Sequence, residues 1–470
     1  MRAFINPSAE IYESLRGNSA CRWALASALI GGLALGATGC GEVTTAPDAG
    51  GGNGEDGGGG ESAGDASIAD DASSADDAVD ASPDGAAIGE ACTPDEALRC
   101  EGDDLVRCNG DGTAEESVAC PLGCSTADLR CLDLDPSNDL ADYLDATSGK
   151  EVLSFTDEVV VDTTSGQVTA GGDDVVIETF LAGFSPQIRV LAVGGLDVRD
   201  LTASGDHALA VVSDGDIAIR GELSVSASGR EAGPGALTTS ACQGDDGEEN
   251  ACGATVFCIG GAGGGGFGSP GGDGATAESG GGSAEGGSGG QAAGTEELIP
   301  LRGGCGGGVV RDGPGSVAGA GGGAVQLASR TGITVDGHLV ANGGGGRNAG
   351  GGSGGGVLLE APAVEVAGVV AANGGGGGCE GKTGNDGSAG DAPAAGAQCA
   401  QEGDGGDGGD GAASAEPAGD GEAELADAHQ RIGGSGGAGV GRIRINTRGG
   451  GLDDTGTISP APSEGPVPVR

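Results

Sequence analysis

Ile333-Thr334-Val335-Asp336-Gly337-His338-Leu339-Val340-Ala341-Asn342-Gly343 places apolar residues at alternate positions on either side of a glycine. Ile333 and Val335 precede Gly337, and Leu339 and Ala341 follow it, which reads as strand, turn, strand. The same spacing returns at Val364, Val366, Gly368, Val370, Ala372, Asn373 and Gly374, and earlier at Ile217, Ile219, Gly221, Leu223, Val225 and Ala227. A looser copy, Leu452, Gly456 and Ile458, lies near the end of the sequence. Each copy has a further alternating stretch upstream, at Leu209/Val211, Val325/Leu327, Leu358 and Ile443/Ile445, so the repeating unit is three short strands and two corners. That is one coil of a solenoid. The predicted fold is all-β: a parallel β-helix over residues 137–465, with glycine-rich insert loops, preceded by a small disulfide-rich module and a disordered linker. Register follows from the alternation, because a slip of one residue would turn Thr334 and Glu365 inward. Ile219, Val335 and Val366 are therefore expected as consecutive rungs of one ladder, and Leu223, Leu339 and Val370 as rungs of another.

The glycine-rich inserts, residues 230–321, 343–354 and 374–439, each follow the third strand of a coil. All three are expected to leave from one corner and stack as a lobe. Runs such as Gly261 to Gly266 lose much conformational entropy on ordering. Disulfides are one means of holding them, and close approach of backbones that lack side chains is another. Between Asp139 and Gly229 the runs at Glu158–Val161, Asp174–Ile177, Ile188–Leu191 and Leu196–Val198 predict the first coils, stacked in parallel.

Composition limits the function classes. The 470 residues include 108 glycines and few aromatics (Trp 1, Tyr 2, Phe 6), so the core has to come from thin layers of Val, Ile, Leu and Ala. A formal charge of −50 argues against nucleic-acid binding, which needs clustered Lys and Arg. It favours solubility and attraction of divalent cations.

The sequence opens on a polar stretch ending at Arg22, followed by apolar Trp23 to Gly39 and then Cys40. This has the order of a signal peptide, residues 1–39. Seventeen small apolar residues are short for a membrane span, which needs about 20. Residues 40–91 carry thirteen acidic residues and no Lys or Arg, so they are expected to form a disordered, self-repelling tether rather than a metal-binding segment.

Apart from Cys21 in the leader and Cys40, the twelve remaining cysteines fall into two sets of six. Cys92, Cys100, Cys108, Cys120, Cys124 and Cys131 define a module over residues 92–136, separated by 7, 7, 11, 3 and 6 residues. Cys242, Cys252, Cys258, Cys305, Cys379 and Cys399 lie in the inserts. Even numbers after an export signal point to an oxidising compartment and disulfides. Zinc is the rival for the module, but no His lies within it. Fifteen connectivities are open for six cysteines; in the third insert Cys379 and Cys399 are the natural pair.

Three chemistries bear on the repeats. Asp404, Asp407 and Asp410 recur every three residues, faintly like calcium-binding Gly-Asp repeats, but without the hydrophobic residue every nine that calcium β-rolls carry. Gly-x-Gly-x-x-Gly matches are inevitable in such a composition and carry no nucleotide signal. Arg220, Glu222, Asp336 and His338 gather acids and bases on one outer face, but aligned coils make them opposite-charge neighbours, an ordinary stabilising arrangement. His207 and His429 read as solvated. We therefore assign no catalytic residue, metal ligand or cofactor from the sequence.

Leu35-Gly36-Ala37-Thr38-Gly39-Cys40 resembles the lipobox of bacterial lipoproteins, with Ala37 where Leu is usual; the resemblance implies a lipidated Cys40, and Gly41 implies the outer membrane. Leu105 to Gly112 followed by Cys120-Pro121-Leu122-Gly123-Cys124 resembles small cysteine-rich repeats of bacterial surface proteins. With Val440 to Thr447 and Gly456 to Pro460, the whole resembles glycine-rich surface lipoproteins of delta-lineage proteobacteria, a resemblance that implies no particular activity. The expected function is a non-enzymatic structural or adhesive surface lipoprotein, with the membrane and cell-surface glycans or another cell as partners. A polysaccharide-acting β-helix enzyme and an acidic divalent-cation-binding component are the alternatives.

Overall fold

The computed structural model describes residues 92–470 except 184–185, 239–240, 253–256, 280, 312–314, 400–404 and 424–429. Cys40, the leader and the linker lie outside the described residues, as do Asp404 and His429. What is described is nearly all β, with one short helix at Ala141–Asp145 and two large mixed sheets of seven and twelve strands.

In the twelve-stranded sheet Ile217, Ile333, Val364 and Leu452 are successive parallel partners, as are Ile219, Val335 and Val366. Leu223, Leu339, Val370 and Ile458 form the second row. This is the register that the alternation predicts. Each row points its apolar side chains into one core, shared with the opposite sheet. The corners between the two rows explain the recurrent glycine. A Cβ on Gly337 would stand 1.9 Å from the Gly221 carbonyl oxygen, one on Gly368 1.9 Å from that of Gly337, and one on Gly456 2.1 Å from that of Gly368. Backbone stacks directly on backbone at this bend, so no side chain fits.

The seven-stranded sheet closes the core from the other side. Leu209, Val325, Val357 and Ile443 align, and so do Val211, Leu327, Leu359 and Ile445. Here the sequence reading needs correction: Leu358 is not on the ladder but faces away from it, and Val357 and Leu359 supply the rungs. The strand Gly356–Glu360 is buried on both faces, so it lacks the polar alternation that identifies an inward side. Its second face is covered by Leu122, Leu134, Leu140 and Leu144, from the end of the disulfide module and the segment after it, and by Leu298, Leu301 and Phe267.

The first strands also differ from expectation. Val159–Asp162, Val168–Ala170 and Asp173–Val175 form an antiparallel meander, and Thr179–Ala182 runs antiparallel to Ile188–Val193. The connections decide this. Gly166, Gly171 and Gly172 have φ of +80°, +58° and +90° and make tight turns, whereas a parallel return needs a crossover of a dozen residues or more. Val152–Phe155 and Val159–Asp162 do join the parallel stack, both on Gly195–Ser204, and the runs at Ile188–Leu191 and Leu196–Val198 are parallel as expected, pairing with Ala208–Ser213 and Ile217–Ser224.

The inserts leave the sheet at equivalent rungs, marked by a polar ladder. The Asn342 amide donates to Ser226 Oγ (2.9 Å), the Asn373 amide to Asn342 Oδ1 (2.8 Å), and Ser459 Oγ to Asn373 Oδ1 (2.7 Å). Beyond this ladder the pattern of hydrogen bonding changes from period two to period three. The amides of Gly260, Gly263 and Gly266 donate to the carbonyls of Glu248, Asp245 and Cys242 at 2.8–2.9 Å. Those of Gly261, Gly264 and Phe267 donate to Ala275, Gly272 and Ser269, and the same three residues accept from Gly287, Gly290 and Ala293. Ile259, Ala262 and Gly265 accept from Gly433, Gly436 and Gly439 of the third insert, while the Gly265 amide donates to Gly351 of the second. Three residues per turn without internal hydrogen bonds is the geometry of a polyproline II helix. The inserts thus pack side by side as such helices, with glycine where neighbours touch: a Cβ on Gly261 would meet Gly434 O at 1.9 Å, and one on Gly264 would meet Gly437 O at 1.9 Å.

Candidate functional site

Two places gather polar chemistry. The first is the outer face of the twelve-stranded sheet. Arg220, beside the Gly221 corner, reaches Asp336 Oδ2 at 2.6 Å and Asp197 Oδ1 at 3.2 Å. The hydrogen bond and charge of Asp197, then those of Asp336, hold its guanidinium more firmly protonated than usual. One row further along, His338 Nδ1 lies 3.8 Å from Glu222 Oε2, and Asp200 Oδ1 accepts from the Glu222 amide at 3.2 Å. These are the neighbours that aligning the coils predicts. Arg220, Glu222, Asp336 and His338 are all 40–54% exposed in their side chains and lie along the sheet rather than around a hollow. The groove on this sheet, about 310 Å³, lies at Thr334, Glu365 and Asp453 instead.

The second place is the glycine lobe, where carboxylates accept backbone amides. Asp273 accepts from Gly289 (2.7 Å), Asp386 from Gly345 (2.7 Å) and Gly229 (3.2 Å), Asp410 from Gly396 (2.8 Å), and Asp407 from Cys399 (2.5 Å). Asp246 accepts from Val309 and Asp420 from Asp273. Each carboxylate stands in for a carbonyl that a neighbouring helix does not provide. The spacing of Asp407 and Asp410 is therefore the repeat of the lobe's own helices, a signal present in the sequence as Gly-Gly-Asp and read there only against calcium. Among the described residues no three His, Cys, Asp or Glu side chains converge as a metal-ligand set.

All twelve cysteines considered for disulfides are paired. In the module the bonds are Cys92–Cys108, Cys100–Cys124 and Cys120–Cys131; in the inserts, Cys242–Cys305, Cys252–Cys258 and Cys379–Cys399. Each lies within one insert or within the module, so among the described residues the inserts are joined to one another by hydrogen bonds and packing, without a covalent link. The His207 amide donates to Thr163 Oγ1 at 3.3 Å, tying a turn.

Two polar centres were not singled out in the sequence. Arg330 donates to both oxygens of Asp133 (2.7 and 2.8 Å), to Asp145 (2.9 Å) and to Asp214 (3.0 Å), and Arg470 also contacts Asp133 and Asp145. Burial alone would raise the Asp133 carboxyl, but the hydrogen bonds and charge of Arg330, with Arg470, outweigh it and hold the group below its usual range. The other is Glu360, fully buried, whose carboxylate receives the Ser137 amide (3.0 Å), Ser137 Oγ (2.7 Å), Gln326 Nε2 (2.7 Å) and Asn446 Nδ2 (3.0 Å). Burial pushes its carboxyl above the usual range in spite of these donors. No local motif marks either centre, because their partners are up to 223 residues away in the chain for Glu360 and 197 for Arg330. Among the described residues no helix is long and apolar enough to cross a membrane. In comparisons with models of protein families, with curated proteins and with solved structures, none matches this chain.

Proposed function

We propose that this chain is a non-enzymatic cell-surface lipoprotein with a structural or adhesive role, in which the parallel ladders form a β-helix that carries the glycine lobe. Under this reading Cys40 bears the lipid, residues 40–91 hold the folded part off the outer membrane, and the partner is a cell-surface glycan or another cell. The observation that supports it most is the way the lobe is built. Three inserts separated by whole coils interlock through backbone hydrogen bonds. At one end the hairpin of Glu249–Ala251 with Phe257–Ile259 and the hairpin of Ala277–Ser279 with Gly282–Ala284 lie together against Gln430–Ile432. Such a body presents several turns rigidly at low conformational cost, which suits recognition by contact. By contrast, Arg220, Glu222, Asp336 and His338 are paired along an open surface, and acid–base catalysis needs its groups to converge on a reacting atom.

A glycan panel and a cell-adhesion assay test this with the full chain and a Gly264→Val variant that disrupts the lobe. The expected result is binding by the wild type, loss in the variant, and no new reducing ends from any glycan. Glycan cleavage that disappears in His338→Ala would instead make the protein a polysaccharide-acting enzyme. For the anchor, Cys40→Ser should shift the protein out of the membrane fraction; unchanged fractionation and unchanged mass would reject lipidation.

A further inference from the structure

Glu360 is fully buried at the centre of a junction that the surface reading does not use. It lies on the outward face of the seven-stranded sheet, level with Ala328 and Asn446. Above it passes the strap that joins the disulfide module to the rest of the chain. Ser137 of that strap presses both its amide and its hydroxyl onto the carboxylate, at 3.0 and 2.7 Å. The next residue extends the tie. Asn138 Nδ2 donates to Gln326 Oε1 (3.0 Å) and to the Leu298 carbonyl (3.3 Å), while its Oδ1 accepts the Leu301 amide (2.9 Å). Gln326 in turn donates to Glu360 at 2.7 Å and to the Ser137 carbonyl at 3.0 Å. Asn138 and Asp139 both have left-handed backbones, φ +63° and +59°, a conformation that non-glycine residues keep only where surrounding contacts hold it.

A cavity of about 570 Å³ opens over this strap, lined by Ser137, Asn138, Asp135, Asp139 and Asp142 among others. Ser137 thus touches both the cavity and the carboxylate, and its hydroxyl offers a path by which a proton passes between them. We propose that Glu360 is a proton-operated latch that fastens the Ser137–Asn138 strap to the seven-stranded sheet.

The direction follows from the surroundings. The four groups that touch the carboxylate are neutral. The charged groups lining the cavity over the strap are the acids Asp135 and Asp139 on the strap and Asp142 on the short helix, while Arg330 and Arg470 at its flanks are taken up by Asp133 and Asp145. Arg444 Nε donates to Asn446 Oδ1 at 2.7 Å, and Glu464 sits on the strand beyond, opposite Ile445. No cation contacts Glu360 directly among the described residues, so burial favours its neutral form, and its carboxyl is raised in the closed state. A raised carboxyl gives a closed state whose stability is full below the ordinary carboxylate range and is lost as pH rises through the raised value. The latch is therefore tight in acid and looser toward neutrality. Opening the strap hydrates Glu360 and releases one of the module's attachments, while Asp133 and Asp135 stay hydrogen-bonded to Arg470 and Pro468.

Hydrogen exchange of the full chain, corrected for intrinsic pH dependence, reads the opening at the Ser137 amide. Between the ordinary carboxylate range and the raised value, protection should fall by up to about tenfold per pH unit, then level off. Glu360→Gln keeps the shape but cannot ionise, and should give a flat profile. Should that variant fold poorly, Ser137→Ala is the second arm: removing one donor to the ionised form should move the midpoint to higher pH. A flat wild-type profile, an unchanged slope in Glu360→Gln, or a Ser137→Ala midpoint that coincides with the wild type would each overturn the latch. None of these outcomes depends on whether the lobe binds a glycan.

Discussion

The ladders and the lobe are made by one chain from opposite materials. In the ladders, side chains such as Val335 and Leu339 fill the space between two sheets, and backbone hydrogen bonds lie within the sheets. In the lobe the space between segments is too narrow for a Cβ, and the backbone itself is the interior. The first owes its stability to apolar burial and the second to backbone hydrogen bonds between close-packed helices. The two should therefore fail in opposite ways: the ladder when atoms are removed, the lobe when atoms are added.

The largest effect is expected in the ladder. Leu339 is fully buried between Leu223 and Val370, and Leu339→Ala should cost roughly 2–5 kcal/mol, read as a lower denaturant midpoint. In the lobe the smallest possible addition is enough. Gly264→Ala sets a methyl 1.9 Å from Gly437 O and 2.5 Å from its carbonyl carbon, and backbone cannot rotate away as a side chain would. Overpacking of this kind costs about 1–3 kcal/mol. The loss should appear as faster hydrogen exchange at Gly261, Gly264 and Gly436 while Val335 stays protected. Equal loosening of both regions would mean that they unfold as one unit, and the comparison would fail.

How far each region is legible from the sequence follows from the same difference. A half-buried strand declares its inward side through alternation, so the Ile219, Val335 and Val366 row and the corner glycines can be read directly. Where both faces are buried that signal vanishes, which is why Leu358 is misplaced by one residue relative to Val357 and Leu359. The antiparallel meander of Val159–Asp162, Val168–Ala170 and Asp173–Val175 is hidden for another reason: its strands have the right composition, and only the left-handed glycines of its turns distinguish a hairpin from a coil. In the lobe the composition announces glycine-rich inserts, but the partners of one segment, residues 259–268, come from all three inserts, and pairing at that distance has no local signature. Among polar groups, Arg220 and His338 are legible because they follow the ladder register. Glu360 is not, since its surroundings come from the strap and from the two strands on either side of its own.

A third test concerns how the disulfide module is joined to the ladders. Arg330 links Asp133 and Asp145, on the chain leaving the module, to Asp214 at the end of a ladder strand. Removing one partner of a fully buried pair costs about 3–5 kcal/mol; here Arg330 is 20% and Asp133 30% exposed, so screening by solvent should reduce the loss from Arg330→Ala to about 1–2 kcal/mol. The pH dependence carries a definite sign. The Asp133 carboxyl is held low in the folded state, so its contribution is complete above the ordinary carboxylate range and is lost as pH falls through the lowered folded value. Arg330→Ala should therefore flatten the acid limb of the stability curve. An acid limb as steep as the wild type's would show that Asp133 owes its low value to Arg470 and the Leu134 amide instead.

The smallest effect is expected on the exposed face of the ladder, and there a null result is informative. Arg220 lies between Asp197 and Asp336 with 54% of its side chain exposed, so solvent and salt screen both pairs. Arg220→Ala leaves two carboxylates, on the rungs either side of its own, without their shared cation, a repulsion that matters only at low ionic strength. The denaturant midpoint should therefore be unchanged at physiological salt and fall slightly when salt is withdrawn, while the buried rows beneath keep their hydrogen-exchange protection. His338→Ala should behave alike, since its contact with Glu222 is 3.8 Å long and equally exposed. Glycan binding by either variant should match the wild type if recognition belongs to the lobe. Lost binding with unchanged stability would move the functional surface from the lobe to this face, and the charged rows would then be a recognition site instead of a support for the sheet.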